Sequence, residues 1–284
     1  MLIKSDNFNL KQIADSGQCF RFNETGDGSF RIIAFSRILT LRQQGQNIEL
    51  SCDEEEWNGL WREYFDMDTN YSAIGRMITE SDDKYLMEAY NYGSGIRILK
   101  QDLFETIISF MISQNNNIPR IKSSIEKICT KAGIAIMHDE ESKTEALEDD
   151  ALYAFPLPGQ VDPEMFMDKN LGLGYRSEYL RDMYIFVENN PKWLILLKKL
   201  SYEDAMRELL KIRGIGNKVA NCVCLFGLHH VEAFPIDTHI KQIISEHYPD
   251  GFRPEKYKGV AGIVQQYMFY HHLKHYNESL KSHI

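Results

Sequence analysis

Three features of the 284-residue chain predict an α+β fold, an N-terminal antiparallel β-sheet followed by a mainly α-helical domain. Short β-favouring segments crowd the stretch between Phe30 and Cys52, apolar spacing turns helical from about Gln101, and two helical stretches after Tyr202 are separated by the glycines of Gly214-Ile215-Gly216. The expected division is an antiparallel β domain over residues 1–98 and a helical domain over 99–284, with the glycine hairpin at about 202–228.

The start, Met1 to Asp6, lacks an apolar signal core. Phe30 to Phe35, Ile38 to Leu41 and Ile48 to Cys52 carry the strand-forming residues, broken by Ser36-Arg37 and by Gln43 to Gln46, which predicts an antiparallel meander. Breaks are expected at Asn91 to Gly95, in the charged stretch from His138 to Asp150, and at Pro156 to Pro163. Phe104, Ile107, Ile108, Met111 and Ile112 fall on one helical stripe; Ile121, Ile125 and Ile128 fall on another. Ser201 is expected to cap a helix from Tyr202 to Lys211, with Asp204 at the spacing of a capping box. Asn217 is the expected cap of the next helix, whose Val219, Val223 and Phe226 make a buried face while Lys218 and Cys222 share another.

A net charge of -9 excludes a broad basic surface, so any attraction to nucleic acid has to be local. Between Lys211 and His230 there are lysines and an arginine but no acidic residue, whereas Asp53 to Glu56 and Asp139 to Asp150 concentrate acid and read as solvated surface. The five cysteines show no repeated pair spacing, so reduced thiols in a cytosolic protein are expected, without a zinc or iron-sulfur site. The densest apolar run, Trp193 to Leu197, is far short of the roughly 20 residues of a membrane span.

Chemistry concentrates after Leu209. Gly214 and Gly216 leave backbone amides open to an anion, and the helix start that follows adds favourable dipole. An ordinary glycine turn is the alternative, and the spacing Gly-x-Gly-x-Lys is not that of a Walker loop. Lys218 supplies an amine at that helix start. At a pKa of about 10.4 only some 0.04% of such an amine is neutral at pH 7, so a nucleophilic role demands desolvation or nearby positive charge, here the helix N-terminus and Arg213. Asp237 taken alone reads as a helix cap after Pro235. A tight ion pair with Lys218 would hinder attack, so its expected place is beside the sugar, stabilising a positive transition state.

The segment from Leu210 to His239 resembles the helix-hairpin-helix DNA glycosylases. Lys218-Val219-Ala220-Asn221-Cys222 and Pro235-Ile236-Asp237-Thr238-His239 are similar to the 8-oxoguanine branch. Ser16 to Arg21, Ser113 to Arg120, Leu171 to Arg176 and Ala261 to Phe269 fit the same branch, so the resemblance runs over most of the chain. It implies that Lys218 attacks the sugar C1′ to form a Schiff base, that Asp237 assists glycosidic cleavage, and that β-elimination then cuts the strand. It further implies that Gly17 accepts the N7 hydrogen of 8-oxoguanine through its carbonyl, that Gln265 binds the pairing edge, and that Phe269 and Cys222 wall an extruded base. Asn115 would fill the vacated stack, Arg120 and Arg176 would hold the orphaned cytosine, Tyr175 would wedge the helix and His239 would meet a phosphate. The hairpin glycines would grip the backbone, and the carbonyls of Leu210, Ile212 and Ile215 would bind a structural monovalent or divalent cation. No redox or nucleotide cofactor is implied. The implied partner is duplex DNA bearing 8-oxoguanine, preferably opposite cytosine, met by a monomer without membrane contact in the cytoplasm, at the nucleoid if bacterial or in the nucleus if eukaryotic.

Other readings of these residues stay open: Phe269 and Tyr175 as core aromatics, Gln265 as a surface amide, Cys222 as buried filler. Gly172-Leu173-Gly174 lacks the later glycine of a dinucleotide loop, and the adjacent pairs His229-His230 and His271-His272 point apart rather than toward a metal. The branch's aspartate after the C-terminal phenylalanine is replaced by His272, which removes an acidic partner of His239. No four spaced cysteines follow Asp237, against the iron-sulfur branches. The rivals are an alkylated-base glycosylase without lyase activity, and a non-catalytic helix-hairpin-helix DNA-binding protein. Lys218, together with Gly17 and Gln265, speaks against the first, and the solitary Asp237 in an acidic protein speaks against the second.

Overall fold

The computed structural model describes residues 1–136 and 151–281, with side chains described as far as residue 276. The expected break and acidic run between His138 and Asp150 lie outside the described residues. Strands β1 (Leu2–Lys4), β2 (Phe22–Glu24), β3 (Phe30–Ala34), β4 (Arg37–Gln44) and β5 (Asn47–Leu50) form one antiparallel sheet in the order β1-β5-β4-β3-β2. β3 to β5 are the expected meander. Phe35 and Ser36 connect β3 to β4 with φ of 51° and 59°, the paired left-handed residues of a two-residue hairpin that matches strand twist. Register sets Ile32 opposite Leu39 and Leu41 opposite Leu50, so the alternating apolar residues share one buried face. Helix α1 (Leu10–Asp15) covers that face with Leu10 and Ile13. α2 (Glu54–Glu56), a π-helical turn (Trp57–Trp61) and α3 (Arg62–Tyr64) run on from one another and add Trp57 and Trp61 to the same core.

The rest is helical: α4 (Tyr71–Thr79), α5 (Lys84–Gly93), α6 (Leu103–Ile112), α7 (Ile118–Ala132), α8 (Arg176–Asn189), α9 (Trp193–Leu197), α10 (Tyr202–Leu209), α11 (Asn217–Phe226), α12 (Thr238–His247) and α13 (Ala261–Lys281). A short pair, β6 (Ala135–Ile136) with β7 (Leu152–Tyr153), lies between α7 and α8. Both apolar stripes expected after Gln101 are buried, and α6 is buried nearly all round, which makes it the axis of the larger core. α4 and α5 join that core through Tyr71, Ile74, Leu86 and Ala89, although they precede residue 98. The break expected at Asn91 to Gly95 falls within that stretch, at Ser94. α5 continues through Gly93, whose missing side chain lets the helix close on Tyr267 and Tyr270 of α13. No described helix is long and apolar enough to cross a membrane.

The two cores are tied together by buried polar groups. Arg97 donates to the carbonyls of Asn7 at 3.2 Å, Phe65 at 2.9 Å and Asp66 at 2.7 Å. Gln18, fully buried, donates to Ser16 Oγ and to the Arg97 carbonyl at 2.9 Å each and accepts from Leu99 N at 2.8 Å. Buried polar groups fully engaged in this way fix a geometry that apolar packing alone would leave adjustable. The loop they fix is Ser16-Gly17-Gln18, which faces the candidate site.

Candidate active site

The hairpin is built from both of its flanks. Ser201 caps α10, its Oγ accepting from Asp204 N at 3.2 Å, and its hydroxyl meets the Asp204 carboxylate at 3.0 Å. The short aspartate thus reaches the serine hydroxyl, not the cap N–H of a full capping box. Gly214 has φ of 88°, and a Cβ there would lie 2.6 Å from Tyr179 Cγ, so both its backbone and its surroundings require glycine. Its carbonyl accepts from Gln114 Nε2 at 3.0 Å, which binds the hairpin to the turn between α6 and α7. Gly216, with open space around it, is the N-cap of α11. The expected cap by Asn217 is not formed: Asn217 is already helical, and its carbonyl accepts from Asn221 Nδ2 at 2.9 Å. The amides of the first turn are therefore left without a side-chain partner, as an anion site requires.

Lys218 stands in that first turn, half-buried. Its Nζ donates to Ser113 Oγ at 3.2 Å and lies 5.1 Å from the centre of the Phe110 ring. Arg213, expected to lend it positive potential, does not. Its guanidinium is taken up by Asp182 at 2.8 Å and Glu178 at 2.7 Å, and Lys211 is paired with Glu208. Lys218 is thus the cation of the 211–230 window that faces the site.

Asp237 is the N-cap of α12, Oδ1 accepting from Ile240 N at 2.9 Å. It is the cap that its setting suggests, and it also lines the site. No ion pair joins it to Lys218 among the described residues.

Two cavities meet at these side chains. The outer one, about 630 Å³, is bordered by Asn115, Arg120, Gly216, Lys218, Asp237 and Lys241. The inner one, only about 40 Å³, is lined by Gly17, Cys222, Gln265 and Phe269 together with Lys218 and Asp237. Lys218 and Asp237 line both and so mark the passage between them. Gly17 has φ of 75°, and a Cβ would stand 3.1 Å from Phe269 Cε1, so the Phe269 ring leans on the glycine backbone. Gln265 is buried; its Nε2 donates to the Pro235 carbonyl at 3.2 Å while Oε1 is left without a partner. A buried acceptor in that state costs about 1–3 kcal/mol. Burial pushes the Cys222 thiol up, Lys218 pulls it down and Asp237 pushes it up again; the net rise keeps it a neutral wall.

The rim gathers the other expected residues. Asn115 has φ of 48°, and its Nδ2 lies 3.3 Å from Tyr175 Oη. Tyr175 is 51% exposed, so it is no core aromatic. Arg120 is exposed at the cleft edge. Arg176 differs: it is buried, and its guanidinium donates to the carbonyls of Gln114 at 2.8 Å, Leu173 at 3.1 Å and Asn115 at 3.0 Å. In this state Arg176 shapes the Asn115 turn and offers little to a nucleobase. His239 sits behind the cleft, 5.7 Å from Phe269, 5.5 Å from His272 and 5.5 Å from Tyr276 between ring centres. The carbonyls of Leu210, Ile212 and Ile215 belong to one turn; that of Ile212 accepts from Ile215 N at 3.1 Å and keeps a second lone pair. Neutral oxygen donors of this type suit a hard cation.

Several residues of the site were not singled out by sequence. Ser113 and Gln114 hold the lysine and the hairpin, and Gln266 donates to the Ser16 carbonyl at 3.3 Å beneath Gly17. Lys241, one turn into α12, adds a cation to the rim. Its signal is faint: the exposed face of an ordinary amphipathic helix.

Comparison with known proteins agrees with the geometry. Residues 1–107 match the family model described as 8-oxoguanine DNA glycosylase, N-terminal domain. The chain is similar to the Clostridium acetobutylicum 8-oxoguanine glycosylase/lyase, solved with double-stranded DNA containing cytosine opposite 8-oxoguanine. The TM-score is 0.86 with 32% identity, over 97% of this chain and 98% of that one. It is 25% identical to N-glycosylase/DNA lyase OGG1 of Arabidopsis thaliana over 82% of this chain and 64% of the relative. It is 32% identical to the N-glycosylase/DNA lyase of Saccharomyces cerevisiae over 54% of this chain and 42% of the relative. These matches span less than two thirds of both curated relatives.

Proposed function

The chain belongs to the 8-oxoguanine DNA glycosylase family, and from that membership we propose that it excises 8-oxoguanine from duplex DNA and then cleaves the abasic strand. The observation that carries this reading is the position of Lys218 and Asp237, the two residues common to an outer cleft of about 630 Å³ and an inner pocket lined by Gly17, Cys222, Gln265 and Phe269. A nucleotide lying in the outer cleft would bring its sugar to the passage between them with its base turned toward the inner pocket, which at about 40 Å³ has to widen, by movement of side chains such as Phe269, to admit a purine.

In this reading the phosphates flanking the lesion rest on the hairpin amides, on Lys241 and, after local movement, on His239. Asn115 fills the gap in the stack, Tyr175 wedges it and Arg120 reads the opposite base, preferably cytosine. Gln265 Oε1 accepts from the pairing edge of the damaged base and the Gly17 carbonyl accepts its N7 hydrogen. Departure of the base breaks the bond from C1′ to N9, with the electron pair going to the base. The Asp237 carboxylate stabilises the positive sugar as Nζ of Lys218 bonds to C1′. The ammonium proton goes to the released base anion. Ring opening, with a proton passing from the attached amine to O4′, gives the Schiff base. A C2′ proton is lost to water, the C3′–oxygen bond breaks with its electron pair leaving on the 3′-phosphate, and water hydrolyses the imine to free Lys218. A cation held by the carbonyls of Leu210, Ile212 and Ile215 would offset phosphate charge beside the hairpin. The protein acts on DNA as a monomer.

An alkylated-base glycosylase would have no use for the amine, and a non-catalytic binder would have none for the pocket. One experiment separates the three: borohydride added during incubation with a duplex carrying 8-oxoguanine opposite cytosine. A covalent protein–DNA adduct is expected, abolished in Lys218→Gln; Asp237→Asn slows base release and preserves DNA binding. An adduct that persists in Lys218→Gln overturns the assignment of the nucleophile.

A further inference from the structure

Sequence reading set aside His271-His272 because neighbours in a helix point apart. In the folded chain a different pair converges. His271 and His275 are one turn apart on α13, their ring centres are 4.4 Å apart, and their Nε2 atoms are 3.1 Å apart. Two imidazoles bound to one zinc ion at about 2.0–2.1 Å each with a tetrahedral angle hold their nitrogens roughly 3.3 Å apart, so the observed pair lies within a few tenths of an ångström of that spacing. The pair stands away from the base pocket. His271 packs against Tyr85 at 5.4 Å and Tyr92 at 5.6 Å, while Phe269 turns toward His239.

The surroundings suit a cation. His271 and His275 border a cavity of about 320 Å³ together with Glu88 of α5, Glu246 and His247. Among the described residues no three side chains of His, Cys, Asp or Glu already converge. A carboxylate from α5 therefore has to swing in and water has to complete the shell.

We propose that His271 and His275 form a two-imidazole clip for a borderline divalent cation such as Zn²⁺ or Cu²⁺, with Glu88 as a third donor that ties α13 to α5. Imidazole with one carboxylate is a donor set that favours these ions over Mg²⁺ or Ca²⁺. The test uses the full-length chain without a histidine tag. Titration with ZnCl₂ in a calorimeter should show saturable binding of one ion per chain, and Zn²⁺ should raise the melting temperature because it binds the folded state. His275→Ala, at the exposed end of the pair, should weaken binding at least about tenfold, Glu88→Gln should weaken it several-fold, and the remote control His230→Ala should leave it unchanged. Electron paramagnetic resonance of the Cu²⁺ form should show two equivalent nitrogens, reduced to one in His275→Ala. Absence of saturable binding, or a His275→Ala protein that binds as well as the parent, would overturn the site and leave a hydrogen-bonded imidazole pair only. An unchanged affinity in Glu88→Gln would overturn the carboxylate's part in it.

Discussion

Substituting Gly17 by alanine tests base recognition where the backbone itself is the reader. Gly17 has φ of 75°, and an L-residue in the left-handed region costs about 1–2 kcal/mol. The added Cβ would stand 3.1 Å from Phe269 Cε1, so the ring must retreat by a few tenths of an ångström or the peptide must turn. His239 packs edge-on against the same ring at 5.7 Å between centres, and the buried Gln18 and Gln266 clamp the flanking peptides. The strain therefore falls on the Gly17 peptide and tilts the carbonyl that would accept the N7 hydrogen. Loss of that bond at about 1–3 kcal/mol corresponds to roughly 5- to 150-fold slower excision. The assay is single-turnover kinetics on two duplexes, one with 8-oxoguanine opposite cytosine and one with a preformed abasic site. Base release should fall by that factor, whereas strand cleavage at the abasic site, which needs Lys218 but no base, should stay within about threefold, less than 1 kcal/mol. Unchanged base release would refute the recognition role, and equal losses on both duplexes would show that the carbonyl is not the part affected.

Gly214→Ala should destabilise by about 2–5 kcal/mol, from left-handed strain plus a contact with the Tyr179 ring, and should weaken binding even to undamaged DNA; a melting temperature within a degree of the parent would refute it. Arg120→Ala should relax the preference for the base opposite the lesion with no change in melting temperature. Arg176→Ala should lower the melting temperature and slow excision about equally against all four opposing bases, because its donors serve the carbonyls of the Asn115 turn. Rates across the four opposing bases, measured for both variants, decide between reader and scaffold. Burial raises the Asp66 carboxyl, but hydrogen bonds and charge from His229, with the hydroxyls of Thr69 and Tyr71, outweigh it and hold the group below the ordinary range. The folded-state pKa being the lower one, the stabilisation is present above the unfolded value of about 4 and is lost as pH falls through the folded value. Asp66→Asn should therefore flatten the decline of the urea midpoint between about pH 5 and pH 2; equal slopes in parent and variant would count against it.

What the sequence made legible was local. The meander from Phe30 to Leu50 and the buried stripes of α6 and α7 follow from periods of two and 3.6 residues, and Gly214, Gly216 and Lys218 are read within one turn of each other. β1 and β2 are too short, at 3 residues each, to show alternation, and only pairing with β5 and β3 makes them strands. The misplaced cap has a backbone cause: Gly216 already holds the extended N-cap conformation at ψ of -180°, so the helix begins one residue before a side chain could cap it. Arg213 failed as a source of potential because its partners, Glu178 and Asp182, lie on α8, more than thirty positions away. Gln266 and Gln114 act on backbone carbonyls from distant segments, which no spacing rule announces.

Asp237 is a helix cap, and the proposed mechanism gives the same carboxylate a chemical role. A helix cap fixes one carboxylate oxygen against a backbone N–H, and a carboxylate fixed before substrate arrives has no reorganisation left to do when charge develops on the sugar. The same constraint keeps it from collapsing onto Lys218, whose amine rests instead on a hydroxyl, Ser113, and near an aromatic face, Phe110. A neutral hydrogen-bond partner stabilises an ammonium far less than a carboxylate would. In the proposed mechanism Ser113 is therefore as much a condition of the chemistry as Lys218. Ser113→Asp should install the ion pair that the native arrangement avoids, shifting the pH dependence of adduct formation to higher pH while leaving DNA binding measurable; a pH profile identical to the parent's would show that the lysine's partner is irrelevant to its reactivity.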